Sequence, residues 1–143
     1  MTQENRWELH EKLAADCHRV ADSSVGPVLL HRNAAVHWFL IVPRTTCLDL
    51  LDLPPDVLQN LLQVGRQINR LLKEELAYPR VNIGALGLLV PQLHLHVVGR
   101  RQDDDCWPAP VWGNLSGDAV YAEGELNRVS TLLSRVGFDT DSR

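Results

Sequence analysis

Two histidines one residue apart, His94 and His96, lie in the run Pro91-Gln92-Leu93-His94-Leu95-His96-Val97-Val98-Gly99. Imidazole is the one side chain whose ordinary pKa, about 6.5, lies near neutrality, so it serves as nucleophile, proton donor or metal ligand without extensive tuning. In an extended strand successive side chains alternate between faces. Gln92, His94 and His96 therefore share one face, and Leu93, Leu95 and Val97 the other. Same-face neighbours stand roughly 6.6 Å apart. Two imidazoles at that spacing reach neighbouring atoms of one ligand, such as an α-phosphate and its leaving oxygen. The spacing also suits a metal ion, since imidazole binds zinc, copper and iron. Further ligands would come from His31, His37, Cys106 or the Asp103-Asp104-Asp105 run, none of which the sequence places. The plain alternative is a half-buried strand with two surface histidines.

Positioning such a face takes neighbouring strands and something to cover the back. Residues 28–31 and 36–42 form two strands joined at Arg32-Asn33-Ala34-Ala35, and the second is apolar enough to be central. Residues 16–22 fit a short edge strand, and Arg80 to Gly87 the strand before the histidines. The Gly84 and Gly87 pair there permits close backbone approach of a ligand. Leu53-Pro54-Pro55-Asp56 opens the longest helix, with proline and aspartate suited to a first turn. Val57, Leu61, Val64, Ile68, Leu71 and Leu72 recur along it at helical spacing, and Tyr78-Pro79 breaks it. A shorter helix is expected over 6–15 and a C-terminal one over 118–137. The pattern implies one α+β domain over 1–143, its core at 16–113.

Composition narrows the function. The chain has 143 residues, a net charge of -4, 45% hydrophobic and 22% charged residues, the balance of a soluble globule. No apolar run approaches the ~20 residues that cross a membrane. The first residues lack the basic-then-apolar pattern of an export signal, so the cytoplasm is the expected compartment. Without a basic stripe, long nucleic acid is a poor partner, while a small nucleotide remains allowed. Cys17, Cys47 and Cys106 are widely spaced and odd in number, as expected of reduced thiols rather than a metal knuckle or redox pair. No cofactor motif is present.

Gln92-Leu93-His94-Leu95-His96-Val97-Val98 resembles the signature of the histidine triad (HIT) family, in which three histidines alternate with apolar residues. The last two histidines and every apolar position match, and glutamine replaces the first. Trp38-Phe39-Leu40-Ile41-Val42-Pro43-Arg44, Val81-Asn82-Ile83-Gly84 and Trp107-Pro108 resemble further pieces of the family in the same order. The combination is similar to a bacterial branch that carries this glutamine habitually.

The resemblance implies a HIT-like antiparallel sheet of about five strands, with a long helix packed on it and a C-terminal helix, and a homodimer. It implies hydrolysis or nucleotidyl transfer at the α-phosphate of a dinucleoside polyphosphate or nucleoside phosphoramidate. His94 would attack phosphorus, His96 would assist phosphate and leaving group, and Gln92 would orient a neighbour. Asn33 would hold ribose, with Asn82, Gly87 and Trp107 as further nucleotide contacts. The rigid aromatic segment from Trp107 to Trp112 would reach toward the active site of its own or the partner subunit. Three departures predict a slow enzyme. Gln92 carries no positive charge, Gly87-Leu88-Leu89-Val90 has no side-chain donor, and Thr46 stands where the phosphoramidase branch has a histidine. A nucleotide-binding protein with faded catalysis is the alternative, and a His-x-His metal protein a further one.

Overall fold

Leu93, Leu95 and Val97 do what their alternation predicts: they bury together against helices, and the histidines are left on the opposite face of the sheet. The computed structural model describes residues 6–141. The strands are β1 (Cys17–Asp22), β2 (Pro27–His31), β3 (Trp38–Ile41), β4 (Arg80–Gly84) and β5 (Leu95–Arg100). They form one antiparallel five-stranded sheet in the order β1-β2-β3-β5-β4. The apolar strand β3 is central, as its composition requires.

The helices are α1 (Glu11–Asp16), α2 (Pro55–Arg70) and α3 (Glu123–Arg135). Helix α2 has Pro55 at its first position and Asp56 in its first turn, then continues through a π-helical turn at Leu71–Glu75. Leu61, Val64, Ile68, Leu71 and Leu72 bury against Phe39, Ile41, Leu95 and Val97. Each such side chain contributes about 1.5–3 kcal/mol on leaving water. Val129, Leu132 and Leu133 of α3 close the same core. The other face carries a second cluster in which Trp38, Leu40, Val42 and Val98 meet Leu13, Val90 and Val111.

Several boundaries differ from the sequence expectation. Residues 6–10 are not helical; helix begins at Glu11. The Gln92 amide takes the backbone groups an earlier helix would need, accepting from His10 N and donating to Glu8 O, both at 2.8 Å. The strand before the histidines stops at Gly84, and β5 starts only at Leu95, so Gln92 and His94 precede the ladder. The C-terminal helix starts at Glu123, where the Glu125 side chain accepts from Ala122 N. Asp104 is not a solvated loop residue. Its carboxylate is buried against Arg100, at 2.8 Å, and accepts from the Cys106 and Trp107 amides. No helix among the described residues is long and apolar enough to cross a membrane.

Candidate active site

The register of β3 against β5 sets Leu40 opposite His96 and Trp38 opposite Val98, making Trp38 a diagonal neighbour of His96 on one face. At that position an aromatic side chain reaches across. The Trp38 indole Nε1–H donates to His96 Nδ1 at 2.9 Å. An indole nitrogen only donates, so His96 Nδ1 is an acceptor and the neutral ring carries its proton on Nε2. His94 is fixed the opposite way. Its Nδ1 lies 2.7 Å from the Gln92 carbonyl oxygen, which only accepts, so Nδ1 carries the proton and Nε2 keeps its lone pair. The ring centroids are 4.7 Å apart and the planes meet at 71°.

Both rings line a cleft of about 370 Å³ and are only 7% and 6% exposed. That volume lies in the usual range for a small-molecule site. His31 and Trp38 stack beneath it, centroids 4.2 Å apart, and Trp112 meets His96 edge-on at 5.3 Å. A Cβ on Gly84 would come within 2.9 Å of the Trp112 ring. The close approach that Gly84 permits is thus to a tryptophan, beside His96. Leu86 to Val90 form one wall, and Leu13, Cys17 and Leu40 contribute apolar surface. Lys12 and Asp16 stand at the rim, paired with each other at 3.1 Å.

Burial governs the electrostatics. It pushes His96 down to about 3, with His94 and His31 adding to the effect, so the ring stays neutral. It lowers His31 as well, and it drives the Cys17 thiol up to about 12, too high for a nucleophile. His31 Nδ1 accepts from the Asn33 backbone amide at 3.1 Å, which leaves its ring proton on Nε2.

Of the residues singled out in the sequence, His94, His96 and Gly87 meet at the cleft. Gly87 has φ +64°, a conformation glycine adopts without strain. Gln92 faces the N-terminal segment through its side chain, and only its carbonyl reaches His94. Asn33 folds its Oδ1 onto the Ala35 amide, as a turn residue does. Asn82 accepts from Arg100 at 2.9 Å and lines, with Trp107, a separate open cleft beside β4. Neither Arg100 nor Arg101 borders the histidines. The first is locked to Asp104 and Ala109 O, and the second to Leu76 O and the Tyr78 ring. His31, Trp38 and Trp112 join the cleft without any signature of their own marking them as nucleotide contacts. Only the β2–β3–β5 register exposes the first two, whereas Trp112 sits in the aromatic segment that the family resemblance directs toward an active site.

The pair offers a lone pair and a hydrogen-bond donor side by side in a water-poor cleft, which is what attack on an electrophile with a stabilised oxygen requires. Among the described residues no group of three or more His, Cys, Asp or Glu is placed to hold a metal ion.

Comparison with known proteins agrees with this geometry. The HIT domain family model matches residues 13–103. A histidine triad protein from Bradyrhizobium japonicum is 35% identical with a TM-score of 0.84, over 90% of this chain and 96% of that one. Another from Marinobacter aquaeolei is also 35% identical at 0.84, over 91% and 95%. A third from Sinorhizobium meliloti is 27% identical at 0.85, over 91% and 96%. No curated protein is significantly similar. With the sheet, the paired histidines and the family match in agreement, this chain belongs to the HIT domain family.

Proposed function

We propose that this protein is a nucleotide hydrolase or nucleotidyl transferase in which His94 attacks the α-phosphorus of a small nucleotide conjugate, of the kind exemplified by a dinucleoside polyphosphate or a nucleoside phosphoramidate. The observation that carries the reading is the opposite anchoring of the two rings: His94 Nδ1 on the Gln92 carbonyl and His96 Nδ1 under the Trp38 indole. His94 Nε2 then forms the bond to phosphorus, and His96 Nε2–H donates to a phosphoryl oxygen. Water cleaves the nucleotidyl-imidazole afterwards, so one hard displacement becomes two easier ones. His31 and Trp112, on the cleft walls, are the apolar and aromatic surface for the nucleoside. Gln92 acts through its carbonyl, while Asn33, Asn82 and Trp107 have no part in the cleft of their own subunit. The cytoplasm and a homodimer complete the proposal.

Assay of a fluorogenic adenosine phosphoramidate and of diadenosine polyphosphates, with wild type and His94→Asn, is the test. The expected result is turnover in the wild type and its loss in the variant. Failure of every substrate would defeat the reading.

One observation favours a second reading, nucleotide binding without turnover. His96 is held neutral, and nothing else among the described residues at the cleft is set to protonate a basic leaving group. Saturable binding with no hydrolysis of any conjugate would select it.

A further inference from the structure

The wall of the cleft beyond the histidines is unusual in being apolar and open to water. Leu88 and Leu89 are 91% and 87% exposed, and Leu86 is 48% exposed. All three line the same cleft as His94 and His96. Leu48, itself 56% exposed, has its carbonyl 3.9 Å from the point where a Cβ on Gly87 would lie, so the apolar surface continues across the loop. Scattered exposed leucines need no explanation, but a contiguous patch marks a contact.

Two further features limit what leaves phosphorus here. First, cations are missing. Lys12 is the one lysine or arginine lining the cleft, and it is paired with Asp16 at 3.1 Å. A polyphosphate chain would meet no free positive charge among the described residues. Second, an acid is missing. The proton on His96 Nε2 is the only one its ring holds, because the Trp38 N–H occupies the side where a second would bind. Giving it up would leave an imidazolate, so His96 can donate a hydrogen bond but not a proton. An amine or alkoxide therefore has no supplier of the proton it needs to depart. A carboxylate departs as a stable anion and needs none.

We propose that the group His94 displaces is an apolar carboxylate: the substrate is a mixed anhydride of a nucleoside 5′-monophosphate and a hydrophobic carboxylic acid, whose hydrocarbon part lies along Leu86, Leu88 and Leu89. This rests on His94 being the nucleophile and narrows the conjugate it attacks. In the first step the His94 Nε2 lone pair forms the N–P bond. The P–O bond to the acyl group breaks, its electron pair leaves on the carboxylate, and no proton moves. The positive charge resides on the nucleotidyl-imidazole, with Nδ1–H donating to the Gln92 carbonyl. In the second step water oxygen bonds phosphorus, the N–P pair returns to Nε2 and one proton goes to solvent. The products are the carboxylate and the nucleoside monophosphate.

The test compares octanoyl-adenylate, acetyl-adenylate and diadenosine tetraphosphate, each corrected for spontaneous hydrolysis, with wild type and the double variant Leu88→Ser/Leu89→Ser. Because those side chains are solvent-exposed, the variant keeps the core intact. Burying one methylene is worth about fourfold in an equilibrium, so octanoyl-adenylate should exceed acetyl-adenylate in kcat/KM by at least about tenfold even with partial cover. The octanoyl-to-acetyl ratio should fall at least about fivefold in the variant, and diadenosine tetraphosphate should be the poorest of the three. Equal rates for the two acyl-adenylates, or preference for the tetraphosphate, would overturn the proposal while leaving His94 as nucleophile. An unchanged ratio together with an altered sedimentation coefficient would assign the leucines to a contact between copies and overturn it too. Absence of turnover and of an adduct with all three would instead sink the nucleophile reading on which it stands.

Discussion

The Trp38 indole donates to His96 Nδ1 at 2.9 Å, and that single bond decides which nitrogen of His96 carries the proton. Trp38→Phe keeps an aromatic ring over His31 but removes the donor. His96 is then free to take the other tautomer and to protonate. Nitrogen-15 spectra of the wild type should show a neutral Nε2–H ring down to about pH 3, with titration moving toward the ordinary histidine range in the variant. Loss of an orienting partner predicts a fall in kcat of about ten- to a hundredfold. An unchanged His96 titration would contradict this assignment.

Acid should weaken the fold before any carboxylate is protonated. His96 is lowered to about 3 and His37 to about 4, in both chiefly by burial, against an unfolded value of 6.5. Between those values the unfolded chain binds more protons than the native one, so stability present above pH 6.5 is lost as pH falls toward 4. Each tenfold drop in proton affinity on folding is worth about 1.36 kcal/mol, so the loss is on the order of a few kcal/mol. Asp104, where burial opposes but Arg100 and two backbone amides prevail, is held at about 2 and contributes only below its usual 3.8. Urea denaturation at pH 7.5, 5.5 and 4.5 should show a steady decline. Equal stability at all three would refute it.

Arg100 and Asp104 form the most enclosed ion pair of the described residues, with 3% side-chain exposure each. Arg100→Ala would strand a buried carboxylate, at a cost of about 3–5 kcal/mol. Arg100 also bonds Asn82 and Ala109 O, so the loop after β5 should loosen with it. Amide exchange at Cys106 and Trp107, whose N–H groups donate to Asp104, reports that directly. A change under about 1 kcal/mol would mean the pair is replaceable.

Gln92 separates orientation from tethering. Gln92→Ala removes the side-chain bonds to Glu8 and His10 but leaves the carbonyl that holds His94. Stability should drop by about 1–3 kcal/mol, with faster exchange at the His10 amide. Activity per folded molecule should stay within a few fold. A collapse of kcat comparable to that of His94→Asn would show that the glutamine amide itself serves the reaction.

Much of this architecture is legible in the chain because burial has a period. Leu93, Leu95 and Val97 alternate with the histidines, and the α2 stripe repeats at helical spacing, so the two sheet faces and the covering helix follow from local pattern. Partners far apart in sequence have no such signature. Gln92 finds His10 and Glu8 82 and 84 residues away, where no periodicity records the match. Trp38 looks like an ordinary strand aromatic until the β3–β5 register sets it diagonal to His96. Asn82 attracts attention as a nucleotide contact because it precedes Gly84, yet the same sheet hands its side-chain carbonyl to Arg100. Asp104 sits in a run of three aspartates that reads as solvated, and only the fold shows which one turns inward.

The nucleophilic role of His94 is tested most directly by rapid acid or base quench of a single turnover, followed by mass spectrometry of the tryptic peptide 81–100, which contains both histidines. A nucleoside monophosphate adduct, placed on His94 by fragmentation and absent from His94→Asn, is the predicted result. An adduct on His96, or substrate turnover with no adduct at any time point, would contradict it.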